Sequence, residues 1–300
     1  MKIPEFLKKG DTVAIVCPAS YIKGNIDIAI EILNGWGLKV QVGRTVTAQF
    51  NQFAGTDEER RNDLQQALDD PQIKAVFAAR GGYGSVRIVD DIDFTSFQKN
   101  PKWLIGFSDI TVFHSHIHNV VQVATIHGQM PKSFEESSQE ALVTLHCALF
   151  GKSVDLIYNQ TIYPNREGKA TGQLIGGNLA ILHSILSSAS DGDYDGKILF
   201  IEDVGESHYA IDRMLWTLKR AGKLAKLAGL IVGGFTSLKD SDPSFGQRFE
   251  DIIMDKVREY AFPVCFTFPA GHIDDNRAII LGANAELIVK KEETSLKYTI

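Results

Sequence analysis

The stretch WLIGFSDITVFHSHIHNVVQVATIHG, residues 103–128, runs from one apolar segment through a glycine and a serine into a second apolar segment. WLIG (103–106) predicts a buried strand, DITVFHSHIHN (109–119) a helix and VQVATIHG (121–128) another strand. Strand, crossover helix and strand form the repeating unit of a parallel sheet. This stretch therefore predicts an α/β fold.

The same alternation occupies most of the first half of the chain. Strands are predicted at 12–20, 38–43 and 73–79, and helices at 27–38 and 56–70. Thr56 before an acidic first turn is typical of a helix cap. Strands alternating with helices indicate a mainly parallel sheet with helices on both faces.

The second half is organised differently. Residues 151–170 are polar and rich in turn formers, so we place a linker there and divide the chain into domains 1–160 and 161–300. Several strands of the second domain follow one another without a helix between them, which predicts a mixed sheet. LIGGNLAIL (174–182) is interpreted as a glycine turn that opens a helix, with Asn178 as its cap.

The composition excludes several classes of function. The net charge of -6 argues against a nucleic-acid binder and against attraction to an anionic membrane surface. No apolar run approaches the ~20 residues of a membrane span, and the N-terminal residues carry no secretory signal pattern. Cys17, Cys147 and Cys265 are too scattered for a disulfide framework or a CxxC metal pair. We therefore expect a cytoplasmic protein.

Ser108 lies where the strand WLIG meets the following helix. Gly106 permits a sharp turn, and helix N–H groups gather beside the hydroxyl. A serine in this position can attack a carbonyl while the N–H of Asp109 stabilises the oxyanion. The alternative is a helix cap, because Ser and Asp are both common at helix starts. Ile110 stands where GxSxG would need glycine, so a standard α/β-hydrolase is not indicated.

RGGYGSVR (80–87) forms a glycine-rich turn between a predicted strand and a helix. Gly81, Gly82 and Gly84 permit left-handed backbone and the close approach of a ligand. Such turns direct N–H groups at anions or oxyanions. The spacing is neither GxGxxG nor a P-loop, and a tight turn without a ligand is the alternative.

IEDVGE (201–206) places carboxylates where an apolar strand stops. Glu202, pointing inward, can orient and stabilise an imidazole as the acid of a catalytic triad does. Asp203 and Glu206 are alternatives by position. A further alternative is that all three are solvated loop charges, because carboxylates are expensive to bury.

Histidines supply two candidates. His272 in PAGHIDDNRA (269–278) lies in a loop, which suits a general base, although an exposed loop histidine is the alternative. His114 and His118 share one helix face and are the best metal candidates by composition. Zinc needs a third ligand, which nothing nearby supplies, so we predict no metal site and no cofactor.

These motifs occur in one order along nearly the whole chain. They are GDTVAIVCPAS, ARGGYGSVR, KWLIGFSDIT, IHGQMP, LIGGNL, ILFIEDVGE followed by YAIDRMLWTLKRAG, and FPAGHIDDN. The ordered set resembles the LD-carboxypeptidase family, serine peptidases that trim murein tetrapeptides. The resemblance implies a flavodoxin-like N-terminal α/β domain and a C-terminal swivelling β/β/α domain, with the active site between them and a homodimer as the assembly.

The resemblance also implies roles for single residues. Ser108 would be the nucleophile, Glu202 the orienting carboxylate and His272 the general base. The amides of Asp109 and of a glycine in RGGYG, Gly82 or else Gly81, would form the oxyanion hole.

The implied substrate is a murein tetrapeptide, cut at the L,D-bond before the terminal D-alanine. A cationic or N–H-rich pocket must bind the D-alanine carboxylate, and Arg80, Tyr83, Gly84 and Arg87 are candidates. The diamino acid can be diaminopimelate or lysine. One rival is the microcin-C immunity branch of the family, which cleaves aminoacyl- or peptidyl-sulfamoyl adenylates. Others are a non-enzymatic small-molecule receptor, in which Ser108 is only a cap, and a phosphate-binding α/β protein that uses RGGYG.

Overall fold

The structure, a computed structural model, describes residues 1–159, 163 and 165–299. The described residues form two compact units, and the first comprises Met1–Val154 and Asp274–Gly282. The remaining described residues form the second unit. The predicted boundary between residues 160 and 161 falls outside the described residues, so it stays a prediction.

The strands of the described residues are, in chain order, β1 Thr12–Val16, β2 Lys39–Val42, β3 Ile73–Ala78, β4 Trp103–Gly106, β5 Thr125–His127, β6 Leu156–Asn159, β7 Gly168–Asn178, β8 Ile198–Val204, β9 Gly229–Thr236, β10 Val264–Cys265, β11 Ile279–Leu281, β12 Asn284–Val289 and β13 Glu293–Thr299. The α-helices are α1 Asp27–Gly35, α2 Asp57–Asp69, α3 Thr95–Lys99, α4 Thr111–His116, α5 Gln139–Leu149, α6 Leu179–Ser184, α7 His208–Arg220 and α8 Phe249–Val257.

The first unit is built on a sheet whose strand order, within the described residues, is β11-β5-β4-β3-β1-β2. Strands β1 to β5 run parallel in the flavodoxin-like order 2-1-3-4-5, and β11 joins antiparallel to β5. The central strands β1, β3 and β4 are almost entirely buried, as expected when helices cover both faces. The segments that follow β1, β3 and β4 therefore share the edge where such sheets hold ligands.

Helix α2 begins with the cap that the sequence predicts. The Thr56 hydroxyl accepts a hydrogen bond from the Glu59 N–H, and the Glu59 carboxylate accepts one from the Thr56 N–H at 2.7 Å. This capping box satisfies two N–H groups that an open helix start leaves without partners.

The second unit is built on a sheet of order β10-β9-β8-β7-β12-β13-β6 among the described residues. Strands β7 to β10 are parallel, whereas β7, β12, β13 and β6 are antiparallel. Its core packs the parallel strands against α6, α7 and α8 through buried aliphatic and aromatic side chains such as Leu199, Ile211, Leu230, Ile253 and Phe266.

The predicted fold class, an α/β chain with a mainly parallel first sheet and a mixed second sheet, is confirmed. Several predicted elements are shorter in the structure. Helix α4 is flanked by a 3₁₀ turn at Ser108–Ile110 and a π turn at Ile117–Val121. β5 keeps only residues 125–127 of the strand predicted at 121–128. Among the described residues, no helix is long and apolar enough to cross a membrane.

The glycine turn predicted within LIGGNLAIL is wrong. Gly176 and Gly177 lie inside β7, which continues to Asn178, and α6 begins immediately afterwards. A Cβ on Gly176 would overlap the carbonyl oxygen of Phe200 on β8. The glycine is therefore required by the close approach of two strands. The predicted cap at Asn178 is confirmed, because its side-chain oxygen accepts the Ile181 N–H at 3.1 Å.

Candidate active site

The turn after β4 holds Ser108 in an uncommon backbone conformation. Its φ is +65°, in the left-handed region that non-glycine residues rarely occupy. Such strain costs of order 1–3 kcal/mol and persists where the surrounding structure imposes it. Gly106 makes the turn possible, because a Cβ there would lie 2.9 Å from the Ile110 side chain. The turn thus projects Ser108 from the end of a buried strand.

The glycine-rich turn after β3 lies against this serine. A Cβ on Gly81 would stand 3.1 Å from the Ser108 Oγ and 3.4 Å from the Asp109 nitrogen. We call Gly81, Ser108 and Asp109 the serine cluster. Gly82, with φ +111°, faces the Ser20 hydroxyl, which accepts a hydrogen bond from the Tyr83 N–H at 3.2 Å. The turn therefore brings backbone beside the hydroxyl without a side chain in between.

The four candidates for carboxylate binding differ in how far they are already engaged. Arg87 forms an ion pair with Asp57 at 2.6 Å, and Gly84 lies against Arg60. The Tyr83 side chain is 46% exposed. The Arg80 Nη1 donates to the Tyr21 carbonyl at 2.9 Å, which leaves further N–H groups on its guanidinium. Of the two arginines of this turn, Arg80 therefore has more free donor capacity for a carboxylate than Arg87.

Two polar groups near the serine cluster were missed from the sequence. The guanidinium of Arg60 is fully buried and donates to the carbonyl oxygens of Pro18 and Gly84. The Asp109 side chain, predicted only for its amide, accepts the Ser85 N–H at 2.8 Å. A signal for Arg60 exists, because it lies one turn before Leu64 on the apolar face of α2.

Glu202 and His272 form a hydrogen-bonded pair in the second unit. The His272 Nδ1 lies 2.6 Å from the Glu202 Oε2, and the His272 backbone N–H donates to the same oxygen at 3.3 Å. The Glu202 side chain is fully buried on β8, whereas that of His272 is 19% exposed. We call these residues the acid–imidazole pair. A carboxylate on Nδ1 holds the ring with Nε2 as its outer, proton-accepting nitrogen.

The environment of the pair sets the basicity of the imidazole. Burial alone would lower the pKa of His272, but the hydrogen bond that the ring donates to Glu202 and the charges of Glu202 and Asp203 outweigh it. The pKa of His272 therefore lies above its ordinary value. A stabilised imidazolium is the state that a general base must reach during proton transfer.

Asp203 and Glu206 are placed differently from Glu202. Asp203 accepts the Ala180 N–H at 2.9 Å and an Asn178 side-chain N–H at 2.9 Å, so it stabilises the start of α6. Burial raises the pKa of Asp203 to about 6. Glu206 lies beyond the end of β8 and its carbonyl accepts the Lys239 N–H at 3.0 Å. Glu202 is thus the carboxylate of this motif whose hydrogen bond to His272 the structure shows.

A glycine makes room for the acid–imidazole pair. Gly271 has φ +113°, and a Cβ there would lie 2.7 Å from the Glu202 Cβ and 3.0 Å from its Oε2. Any larger residue before His272 would therefore push the carboxylate away from the ring. The PAGH loop is shaped to bring the His272 backbone within hydrogen-bonding distance of Glu202.

His114 of α4 and His118 of the π turn that follows it are buried in the interior of the first unit. The His114 Nε2 lies 2.9 Å from the Gly106 carbonyl oxygen, and burial lowers the pKa of His114 to about 4. The His118 Nε2 lies 2.9 Å from the Thr125 hydroxyl. Residues 1–159, 163 and 165–299 include no group of three or more His, Cys, Asp or Glu side chains that could hold a metal ion.

A serine held at a strand-to-helix turn and an imidazole held by a buried carboxylate are the parts of a serine hydrolase. Profiles of the LD-carboxypeptidase N-terminal and C-terminal domains match residues 13–128 and 171–287. The chain belongs to the LD-carboxypeptidase family. The prediction that it is an enzyme of this family is confirmed.

Relatives with known names agree with this assignment. A probable murein peptide carboxypeptidase of Bacillus subtilis is 36% identical over 95% of this chain and 91% of its own. A murein tetrapeptide carboxypeptidase of Pseudomonas aeruginosa is 33% identical over 92% of each chain. The crystal structure of a muramoyltetrapeptide carboxypeptidase from Oxalobacter formigenes matches with a TM-score of 0.88 and 28% identity, over 96% of this chain and 99% of that one. The microcin C7 self-immunity protein has the same fold, with a TM-score of 0.88 at 20% identity over 100% of this chain and 99% of that one.

Proposed function

We propose that this enzyme is a serine carboxypeptidase that removes the terminal D-alanine of murein tetrapeptide, with Ser108, Glu202 and His272 as its triad. The observation that carries the proposal is the 2.6 Å contact between the buried Glu202 carboxylate and the His272 Nδ1. A buried carboxylate on one ring nitrogen is the arrangement that prepares the other nitrogen to accept a proton. The names of the B. subtilis and P. aeruginosa relatives support the substrate class.

The chemistry follows from these groups. The Nε2 of His272 takes the Ser108 hydroxyl proton as the Ser108 Oγ bonds to the carbonyl carbon that precedes D-alanine. The carbonyl electrons move to its oxygen, where the amides of Asp109 and of Gly82 or Gly81 stabilise the charge. Collapse breaks the C–N bond, and His272 donates its proton to the leaving amine of D-alanine. Water, deprotonated by His272, then hydrolyses the acyl ester and restores Ser108.

The proposed triad takes its residues from both units. Ser108 belongs to the first unit and the acid–imidazole pair to the second. The chain rejoins the first unit at Asp274, two residues after His272. We propose the triad from the chemistry of these three side chains and from the similarity of the full chain to named carboxypeptidases.

Arg80 is our choice for the group that binds the D-alanine carboxylate. Arg80 is partly buried at the start of the turn, and its guanidinium is anchored by a hydrogen bond of 2.9 Å to the Tyr21 carbonyl. Arginine donates two parallel hydrogen bonds to a carboxylate. Arg87 is the weaker choice because Asp57 already neutralises it.

The test is release of free D-alanine from purified protein incubated with the tetrapeptide. The same peptide ending in L-alanine is the matched control, and it should stay intact. Aspartyl sulfamoyl adenosine, the ligand of one microcin C7 self-immunity structure, is assayed in parallel. Turnover of the adenosine compound without release of D-alanine would favour the immunity-type activity. Failure to cleave either compound, with no labelling of Ser108 by a serine-directed probe, would favour a binding protein.

We propose a cytoplasmic homodimer that uses no cofactor and binds no nucleic acid or membrane. Sedimentation equilibrium of the full chain measures the oligomeric state, and a mass of one chain across micromolar concentrations would refute the dimer.

A further inference from the structure

One peptide group in the first unit is held at both ends by ionisable side chains. The carbonyl oxygen of Gly84 accepts a hydrogen bond from the Arg60 Nη1 at 3.0 Å. The N–H of the next residue, Ser85, donates to the Asp109 Oδ2 at 2.8 Å. These two atoms belong to the same peptide plane, so its position and its orientation are both fixed.

The side chains that hold this peptide are themselves immobilised. Arg60 is fully buried, and Asp109 is 2% exposed. The Arg60 guanidinium also donates to the Pro18 carbonyl, pairs with Asp57 and lies 4.9 Å from the centre of the Phe53 ring. Buried charged side chains are rare and need partners. An arginine and an aspartate on either side of one peptide group therefore indicate that holding this peptide has a function.

The charges of the two side chains support each other across the peptide. Burial lowers the pKa of Arg60, and the charge of Asp109 is among the influences that oppose this shift. Burial likewise raises the pKa of Asp109, and the hydrogen bonds from Ser85 and the charge of Arg60 oppose it. Removing either partner would leave the other in an environment that disfavours its charge.

Gly84 is matched to Arg60. Its φ is +138°, a conformation that residues with side chains rarely adopt, and a Cβ would lie 2.7 Å from the Arg60 Nη1. Gly84 therefore leaves room for the Arg60 guanidinium, and the guanidinium in turn holds the Gly84 carbonyl in place. A turn with three glycines in four residues has much conformational freedom to lose, and it needs such an anchor to hold one conformation.

We propose that Arg60 and the carboxyl group of Asp109 are positioning residues for the oxyanion hole, acting through the Gly84–Ser85 peptide. By fixing this peptide they hold the backbone of Gly81 and Gly82 against Ser108, while the Asp109 amide supplies the other donor. The inference rests on the proposed function, because it assigns a purpose to donors that the hydrolysis requires.

The test compares Arg60→Met, Arg60→Lys and Asp109→Asn with the matched control Arg61→Met. Arg61 is the next residue of α2. In the described chain its guanidinium donates hydrogen bonds to the Asn62 side chain and to no part of the glycine-rich turn. We expect Arg60→Met to lower kcat about 100-fold, the scale that a 1 Å misplacement costs, with KM changing less than about threefold. Arg60→Lys keeps the charge and should recover part of the loss. Arg61→Met should match the wild type.

Two further readouts separate positioning from general stability. The pH midpoint of kcat/KM should stay at its wild-type value in every variant, because the acid–imidazole pair is untouched. Hydrogen–deuterium exchange of the segment 80–88 should accelerate in Arg60→Met and Asp109→Asn and not in Arg61→Met. In the double variant Arg60→Met/Asp109→Asn, kcat should be only slightly lower than in the worse single variant, because both changes release the same Gly84–Ser85 peptide group.

The outcomes are distinguishable from failure of the proposed function. If the wild type releases no D-alanine, the function is wrong, and the exchange data alone decide whether the peptide is held as described. If the wild type is active and Asp109→Asn, a nearly isosteric change, alters neither kcat nor exchange, the inference is overturned. Additive losses in the double variant would also overturn it, because they require two independent roles.

Discussion

The serine cluster and the acid–imidazole pair place their reactive groups by different physical means. Ser108 is positioned by backbone: a left-handed φ of +65° and glycines that leave no side chain beside its hydroxyl. His272 is positioned by side-chain chemistry, through a 2.6 Å hydrogen bond to a fully buried carboxylate. The placement of Ser108 depends on backbone conformation and steric space, whereas that of His272 depends on the protonation of its ring. The predictions below test this difference.

Ser108→Ala should produce the largest loss. Removing a triad nucleophile costs on the order of 10⁶-fold in kcat, because the covalent pathway is lost. The free energy of unfolding should stay within about 0.5 kcal/mol of the wild type, since alanine meets the same backbone strain as serine. D-alanine release and chemical denaturation measure the two effects. Ser115→Ala, half-buried on α4, is the control and should remain active.

Glu202→Gln should lower kcat by about 10⁴-fold, because an amide on Nδ1 no longer stabilises the imidazolium and can impose the wrong tautomer. Steady-state kinetics with the tetrapeptide measure the effect. Glu206→Gln is the matched control from the same motif and should retain wild-type kcat. Equal losses in the two variants would contradict the assignment of Glu202.

Gly81→Ala tests the steric arrangement of the serine cluster. The new Cβ would stand 3.0 Å from the Ser108 Cβ and 3.1 Å from its Oγ, closer than ordinary packing allows. We expect kcat to fall about 10²-fold, as for a misplacement of about 1 Å. Gly35→Ala, where a Cβ meets nothing within 4 Å, should leave kcat unchanged. Wild-type kinetics in Gly81→Ala would show that the serine needs no such space.

The smallest effect is the pH dependence, and it belongs to the acid–imidazole pair. The general base must be neutral, and the pKa of His272 lies above its ordinary value of 6.5. Below that raised pKa, kcat/KM should fall about tenfold per pH unit. Stability should move in the opposite direction: the ion pair contributes fully below the unfolded pKa, and its contribution is lost as pH rises through the folded pKa.

A pH–rate profile and denaturation midpoints measured from pH 5 to pH 9 test both signs. Gly81→Ala should change neither the pH midpoint of kcat/KM nor the pH dependence of the denaturation midpoint, because it alters steric space and not charge. A kcat/KM that is flat down to pH 5 would show that His272 does not act as the base.

How far the sequence predicts the site varies from residue to residue. The position of Ser108 after β4 follows from an apolar run, a glycine and a helical pattern, all of which are local. Arg60 was missed because helical spacing predicts that its side chain points inward but not which backbone groups it meets there. Gly176 was misinterpreted for a similar reason: a glycine in a turn and a glycine beside a closely approaching neighbour strand are identical in sequence.

The sequence by itself determined the α/β class, the alternation of strands and helices in the first half and the order of motifs that marks the family, because periodicity and turn chemistry act over a few residues. The chemistry of the residues left Glu202 and Asp203 as alternatives, and only the tertiary structure shows which of the two is hydrogen-bonded to His272. Neighbours on a strand point to opposite faces, and packing assigned one face to the imidazole of His272 and the other to the start of α6. Which face meets which partner depends on residues far away in the chain, and local sequence carries no record of that choice.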